Sequence, residues 1–241
     1  MRFSPFLLLA LALAACERAP DAPPADGDGS SAVTTSSDVI AGASAKLDGL
    51  APGFIGATAP EAAYDLGEGA VCYVYGTYAV RVSPAGGPGE LGEPRGDEVA
   101  VGAREGDGQA ACAGLGSRVV SSADSTVSDT FMGVEGDVLL LDRASGEAGQ
   151  AVVAVDLAAD DAVVLDSPYE GDTVEIEGGV LRFGTLARTT RSVGDLAGVD
   201  CPQGAEFIES GLDVGIIREV TFDLAQRERA DTDRLACTPI G

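Results

Sequence analysis

The stretch that decides the fold runs from residue 136 to residue 167 and reads GDVLLLDRASGEAGQAVVAVDLAADDAVVLDS. Runs of Val, Leu and Ala alternate in it with segments rich in Asp, Gly and Ser. Short aliphatic runs between turn-forming residues are typical of β-strands that belong to hairpins. The pattern predicts a turn at Ala159-Asp160, between the last two runs.

The same pattern continues on both sides of this stretch. Strand-like segments cover residues 70–82, 97–105, 117–122, 129–143, 172–187 and 214–226, with predicted turns at Gly76-Thr77, Glu135-Gly136 and Gly178-Gly179. About ten short strands at hairpin spacing, without long amphipathic helices, predict an all-β, mostly antiparallel fold, either a sandwich or a barrel-like sheet. A propeller-like fragment is the alternative, because strands that end in Asp and a turn resemble those of propeller blades. The chain is too short for a full ring at about 40 residues a blade.

Two segments before residue 70 favour helix instead. In residues 38–50, DVIAGASAKLDGL, Asp38 is a suitable N-cap, the aliphatic residues share one face and Pro52 ends the pattern. This predicts one short N-terminal helix. The segment PEAAYDL, residues 60–66, predicts a further helical turn or two.

Composition restricts the function. The chain has 15 basic and 39 acidic residues and a formal net charge of −24, so its surface repels phosphate backbones and no nucleic-acid partner is expected. The acidity indicates either a strongly hydrated surface or one that collects cations. The absence of His excludes Ser-His-Asp and Cys-His nucleophile pairs and zinc sites with imidazole ligands. No phosphate-binding loop with Lys-Ser or Lys-Thr occurs, and no cofactor or metal is expected.

The N-terminus has the layout of a secretory signal peptide. Met1 and Arg2 give it a positive start, an apolar run covers residues 6–13, and Ala14 and Ala15 follow as small residues. The run is shorter than the about 20 apolar residues that cross a bilayer, so a membrane span is not expected.

The motif LAAC, residues 13–16, resembles the lipobox of bacterial lipoproteins. The resemblance covers residues 1–16 alone and implies removal of residues 1–15, lipidation of the Cys16 thiol and acylation of the new amino terminus. Two or three acyl chains hold a protein stably on a membrane, so the expected partner is a lipid bilayer that is contacted through the Cys16 acyl chains. Glu17 stands where Asp would retain such a lipoprotein in the inner membrane, which points to the outer membrane.

The remaining chain divides into a tether and a domain. Residues 16–37 are rich in Pro, Ala, Ser and Asp and predict a lipidated, disordered tether, whereas residues 38–241 are predicted to form a single β domain. An even number of cysteines in an exported chain favours two disulfides within that domain. The four cysteines are Cys72, Cys112, Cys201 and Cys237.

Three pairings of these cysteines are possible, and the sequence does not choose among them. Cys72–Cys112 and Cys201–Cys237 are favoured, since each would staple one end of the sheet region. Each pair closes a loop of about 40 residues, and the loss of entropy in the unfolded chain would stabilise the fold by about 3–4 kcal/mol for each disulfide. A metal site made of four thiolates is disfavoured, because the sequence has no C-x-x-C pair.

Two pairs of side chains are candidates for a site. Tyr73 and Tyr75 share one face of the first predicted hairpin, and an exposed pair of this kind can stack on a sugar or contact a protein partner. Packing across the sheet is the alternative. Glu175 and Glu177 share a strand face, where two carboxylates either form an acid/base pair or belong to a solvated surface.

These observations predict a non-enzymatic, membrane-anchored extracytoplasmic lipoprotein of the cell envelope. It is expected to bind an unknown protein or polysaccharide, or to have a structural role. A cation-binding or inhibitor-type module is the first alternative, and a hydrolase that uses paired carboxylates is the second.

Overall fold

The strands follow one another in the sheets in the same order as in the sequence. The computed structural model describes residues 46–47, 53–85, 96–113, 115, 119–121, 127–144, 149–170 and 174–240, which all belong to one compact unit, Ala41–Gly241. Within these residues, fourteen antiparallel strands form three open sheets.

Sheet I contains six strands in the order β1 to β6. Turns at residues 68–69 and 75–77 connect β2 to β3 and β3 to β4, so strands that are neighbours in sequence pair directly as hairpins. The bounds of the strands are Lys46–Leu47, Ala62–Gly67, Ala70–Val74, Tyr78–Pro84, Asp97–Ala103 and Val119–Ser121.

Sheets II and III each contain four strands, in the orders β10-β9-β8-β7 and β11-β12-β13-β14. The strands of sheet II, β7 to β10, are Ser128–Glu135, Val138–Ala144, Gln150–Asp156 and Ala162–Tyr169. The strands of sheet III, β11 to β14, are Glu175–Glu177, Val180–Thr190, Asp213–Asp223 and Glu228–Ile240.

Sheet II is the middle layer of a stack. Every residue in Val138–Leu141 and in Val152–Val155 is at most 3% exposed, although successive side chains of a strand point to opposite faces. Both faces of β8 and β9 are therefore covered. Leu140 belongs to a core shared with sheet III, whereas Leu139 belongs to a core shared with sheet I.

Apolar burial on these two faces holds the layers together. The core between sheets II and III includes Leu181 and Phe222, which are at most 1% exposed, and the core between sheets I and II includes Val80 and Val99, which are fully buried. A fully buried side chain of this size contributes about 1.5–3 kcal/mol relative to its exposed state.

Helical segments are few and short in the described part of the chain. Helix α1, Gly108–Ala113, contacts β3 and β4 on the outer face of sheet I, where Cys112 is bonded to Cys72. Helix α2, Gly204–Glu209, follows a short 3-10 helix, Val193–Leu196, and contacts β13 and β14. None of the described helices is long and apolar enough to cross a membrane.

The predicted all-β, antiparallel fold is confirmed, with open sheets that stack as in a sandwich. The strand breaks also lie at or beside the predicted turns, at residues 75–77, 136–137, 157–161 and 178–179. Sheets II and III share the four-stranded meander of a propeller blade, but sheet I has six strands, so the described strands do not form a series of equal blades.

Two helix predictions are corrected by the structure. Lys46 and Leu47, in the segment predicted as the N-terminal helix, form β1 and pair with β2, while residues 38–45 and 48–50 lie outside the described residues. Residues 62–66 of the segment PEAAYDL belong to β2. Its Ala-rich composition favours helix, but pairing with a strand on each side overrides that weak preference.

Candidate functional site

The outer face of sheet III carries a cleft of about 770 Å³. In β12, Leu181 and Phe183 point into the core, so the alternate residues Arg182 and Gly184 point away from sheet II and line the cleft. The register pairs Gly184 with Glu219 of β13, which brings Glu219 to the same face. This volume lies in the range of sites that hold a small ligand or a peptide side chain.

A row of alternating charges runs across sheet III from β11 to β14, and three of its four members line the cleft. It consists of Glu177, Arg182, Glu219 and Arg234, one from each strand, and we call it the charge ladder. The N–O distances between successive members are 3.6, 3.7 and 3.2 Å. Each pair is partly exposed and contributes about 0–1 kcal/mol, so the ladder chiefly fixes where the two guanidinium groups lie.

The pairing between β13 and β14 has a register shift opposite Glu219. Arg218 pairs with Leu235 and Val220 with Asp231, so residues 232–234 face Glu219 alone. The Thr232 hydroxyl donates a hydrogen bond to the Glu219 backbone oxygen at 3.1 Å, and the Arg234 guanidinium donates one to its carboxylate at 3.2 Å. Bulges of this type re-aim side chains, and here one directs Arg234 into the cleft.

The segment 198–201 forms one side of the cleft and is tied to β14 in two ways. The Asp200 backbone N–H donates a hydrogen bond to the Leu235 oxygen at 2.9 Å, beside a parallel bridge between Asp200 and Ala236. Cys201 is bonded to Cys237, with Cα atoms 5.3 Å apart. We call this pair the cleft disulfide, and it holds the side of the cleft against the strand.

Negative charge dominates the cleft. Its lining contains five carboxylates and two guanidinium groups, and both guanidinium groups already belong to the charge ladder. Four of the carboxylates form no ion pair with any other described residue, and all four side chains are exposed. These four are Glu170, Glu175, Asp200 and Asp233.

Apolar residues complete the lining. Ile217, Leu235 and Ala236 contribute to it beside the charged groups. Gly184 is required nearby, because a Cβ at that position would collide with the Ile217 side chain and lie 3.0 Å from the Glu170 backbone oxygen. The Glu170 N–H donates a hydrogen bond to the Gly184 oxygen at 2.8 Å, so the end of β10 lies directly against β12.

The two glutamates for which an acid/base pair and a solvated surface are the alternatives lie on β11. Glu175 lines the cleft, and Glu177 takes part in the charge ladder. Both side chains are exposed, as in the solvated-surface alternative, without the apolar enclosure that makes a carboxyl a general acid in glycosidases.

The two tyrosines lie elsewhere. Tyr73 is 8% exposed and Tyr75 is 4% exposed, both in the core between sheets I and II, and the Tyr73 ring stacks on Phe131 with centroids 5.4 Å apart. Their position corresponds to the sheet-packing alternative, and neither ring is presented to a sugar or a partner.

The cysteines of the domain form the two favoured pairs. Besides the cleft disulfide, Cys72 and Cys112 are bonded with Cα atoms 6.0 Å apart, and we call this pair the helix disulfide because it attaches α1 to sheet I. Cys16, the residue predicted to carry lipid, lies outside the described residues, as do the predicted signal peptide and tether.

Buried charges away from the cleft connect the layers. Asp129 is 3% exposed and accepts hydrogen bonds from Arg143 Nε at 2.8 Å and from the Ser121 hydroxyl at 2.5 Å. The hydrogen bonds that Arg143 donates to Asp129 raise the pKa of Arg143, and its guanidinium also donates a hydrogen bond to Asp166 at 2.8 Å. This network joins β6 of sheet I to β7, β8 and β10 of sheet II, which is a structural role.

Two further carboxyls have altered pKa values because of burial. Desolvation raises the pKa of Asp97, although its carboxylate accepts a hydrogen bond from the Phe131 N–H at 2.9 Å. Desolvation also raises the pKa of Asp142, which accepts a hydrogen bond from the Tyr169 hydroxyl at 3.1 Å. Neither residue lines the cleft.

No group of three or more Cys, Asp or Glu side chains in the described ranges is arranged to hold a metal ion. Comparison with protein-family models, with curated proteins and with solved structures gives no match for this chain.

The sequence singled out Glu175 and Cys237 but not the other charged residues that build the cleft. Arg182 and Glu219 alternate with core residues of β12 and β13, and that alternation is visible in the sequence. Arg234 had no such signal, because β14 reads ERADTDRLACTPI and is polar on both faces over most of its length.

Proposed function

We propose that this chain is a lipid-anchored, extracytoplasmic protein of the cell envelope that acts without catalysis, as a binding module for a protein partner. The observation that carries the proposal is the pairing of all four cysteines after Cys16 into two disulfides. Disulfides of this kind form and persist in oxidising compartments outside the cytoplasm. That location agrees with the lipobox-like motif at residues 13–16.

The character of the cleft favours binding over catalysis. Its two guanidinium groups are paired within the charge ladder, and its remaining carboxylates are exposed to solvent. Exposed carboxylates can attract a partner of opposite charge, whereas acid/base catalysis generally uses carboxyl groups that are enclosed by the protein.

A protein partner suits the cleft better than a polysaccharide. Sugar sites generally offer an exposed aromatic face, whereas among the described residues Phe183 is the one aromatic side chain in this lining, and it is 3% exposed. Polar and apolar groups mix in the lining as they do at the rim of protein interfaces.

Lipid attachment at Cys16 tests the proposal. The full chain is expressed in a Gram-negative host that receives labelled palmitate, and the extract is partitioned between detergent and water. The unaltered protein should carry label and enter the detergent phase, whereas Cys16→Ser should do neither, because the thiol that accepts the lipid is missing.

Cys237→Ser is the matched control for the loss of a cysteine. It breaks the cleft disulfide but keeps Cys16, so it should retain the palmitate label. Unlabelled wild-type protein in the aqueous phase, or label that persists in Cys16→Ser, would refute the anchoring.

A further inference from the structure

We infer that the cleft on sheet III binds an extended, basic peptide segment of a partner protein. The inference rests on the proposed function, since it names the partner chemistry of the binding module. The observation behind it is the combination of unpaired carboxylates, an apolar wall and an open strand edge in one cleft.

The negative charge of the cleft favours a positively charged ligand. Glu170, Glu175, Asp200 and Asp233 line it without ion-pair partners in the described part of the chain. The guanidinium groups of Arg182 and Arg234 are already ion-paired with Glu219 in the charge ladder, so an incoming cation meets carboxylates outside these pairs and displaces neither guanidinium. Complementary charge of this kind governs the encounter and the choice of partner.

The apolar residues of the lining favour a cation that is carried on an aliphatic side chain. Ile217, Leu235 and Ala236 lie in the same lining as the free carboxylates. Lys and Arg side chains combine these two properties, because their methylene stems pack on apolar surface while their charged heads remain in contact with water or with carboxylates.

The strand edge selects a peptide. β14 is the outer strand of sheet III, and residues 233–238 of it line the cleft. Among the described residues, its outer side is bridged at one place, between Asp200 and Ala236. The bridge and the cleft disulfide cover that side at residues 235–237, but no described strand pairs with it at residues 228–234, of which Asp233 and Arg234 line the cleft. An unpaired strand edge is the surface that an extended peptide uses when it adds a strand to a sheet.

Isothermal titration of the full-length acylated protein in non-ionic detergent tests the inference. The probe is an eight-residue peptide of alternating Arg and Val, and the comparison is a peptide of the same length with alternating Glu and Val. The Arg peptide should bind at low ionic strength and weaken as salt is raised, since the contacts are partly exposed charges. The Glu peptide should give no heat of binding.

Paired variants separate the cleft from the general acidity of the chain. The double variant Glu170→Gln/Glu175→Gln removes two free carboxylates from the cleft and should weaken the Arg peptide about five- to tenfold. The double variant Glu68→Gln/Glu105→Gln removes the same charge from exposed positions on and beside sheet I, and it should change the affinity less than about twofold. All four side chains are exposed, so both variants should fold.

Three outcomes would overturn the inference. Equal weakening by the two double variants would show general attraction to an acidic surface. Spermidine that binds with the same sensitivity to Glu170→Gln/Glu175→Gln as the Arg peptide would show a site for free polyamines instead. No binding of the Arg peptide to a protein that still partitions into detergent would refute the peptide site and leave the anchoring intact.

Discussion

Replacing adjacent leucines of β8 tests whether sheet II is covered on both faces. Leu139 and Leu140 are fully buried, but Leu139 faces the core shared with sheet I and Leu140 faces the core shared with sheet III. Leu→Ala removes three carbon atoms, which costs about 2.4 kcal/mol at ~0.8 kcal/mol for each. The cavity that remains raises the expected loss to about 3–5 kcal/mol for each variant.

Thermal unfolding followed by far-ultraviolet circular dichroism is a suitable assay, because the chain has no Trp for fluorescence. At about 2–4 °C per kcal/mol for a domain of this size, each variant should melt at least 6 °C below the unaltered protein. Val163→Ala is the control on the neighbouring strand β10, since Val163 is 57% exposed, and it should change stability by less than about 0.5 kcal/mol. A Leu139→Ala or Leu140→Ala protein as stable as this control would show that one face of β8 is uncovered and would refute the three-layer stack.

Three other properties can be tested in the same protein. Titration with a dithiol, followed by alkylation and mass spectrometry, should show that the cleft disulfide is reduced before the helix disulfide. The cysteines of the cleft disulfide are partly exposed, whereas those of the helix disulfide are buried. The reverse order of reduction would contradict this difference in burial. Gly184→Val should lower the free energy of unfolding by about 1–3 kcal/mol in urea titrations, because the new side chain meets Ile217 of β13 and the Glu170 backbone oxygen after β10, and an unchanged midpoint would show that these two groups do not lie so close to Gly184. Asp97→Asn should stabilise the protein near neutral pH, because burial raises the folded-state pKa of Asp97 and makes its charge unfavourable, and the gain should shrink as the pH is lowered and the aspartate takes up its proton in the folded state; a gain that is constant with pH would contradict this.

The strands that form the layers could be predicted from the sequence, because the pattern that identifies each strand lies within a few consecutive residues. In Val138–Leu141 and Val152–Val155 consecutive aliphatic residues are bounded by Asp and Gly, and such runs become strands that are buried on both faces. Turn-forming residues also indicate where hairpins turn. For example, Gly178 and Gly179 adopt the positive φ values that a tight turn between β11 and β12 needs.

What the sequence did not predict depends on distant contacts. The segment PEAAYDL, residues 60–66, favours helix because Ala and Glu have high helix propensity, and the pairing of residues 62–66 with β1 and β3 is not visible in these seven residues. β14 is an edge strand with little buried surface, so it lacks the alternation by which strands are recognised.

The cleft could not be predicted for a related reason. It depends on the register between β12, β13 and β14 and on the irregularity opposite Glu219, which place Arg182 and Arg234 on either side of that carboxylate. A shift of one residue would turn these side chains to the other face, and the sequence alone does not specify the register.

The central claim is that this is a lipid-anchored protein with both disulfides formed outside the cytoplasm. The most direct test is the intact mass of the protein isolated from envelope membranes of a Gram-negative host, after alkylation of free thiols without reduction. The account predicts a chain that begins at an acylated Cys16 and carries no alkyl group on Cys72, Cys112, Cys201 or Cys237. A chain that retains Met1, carries no acyl group and is alkylated at these cysteines would contradict it.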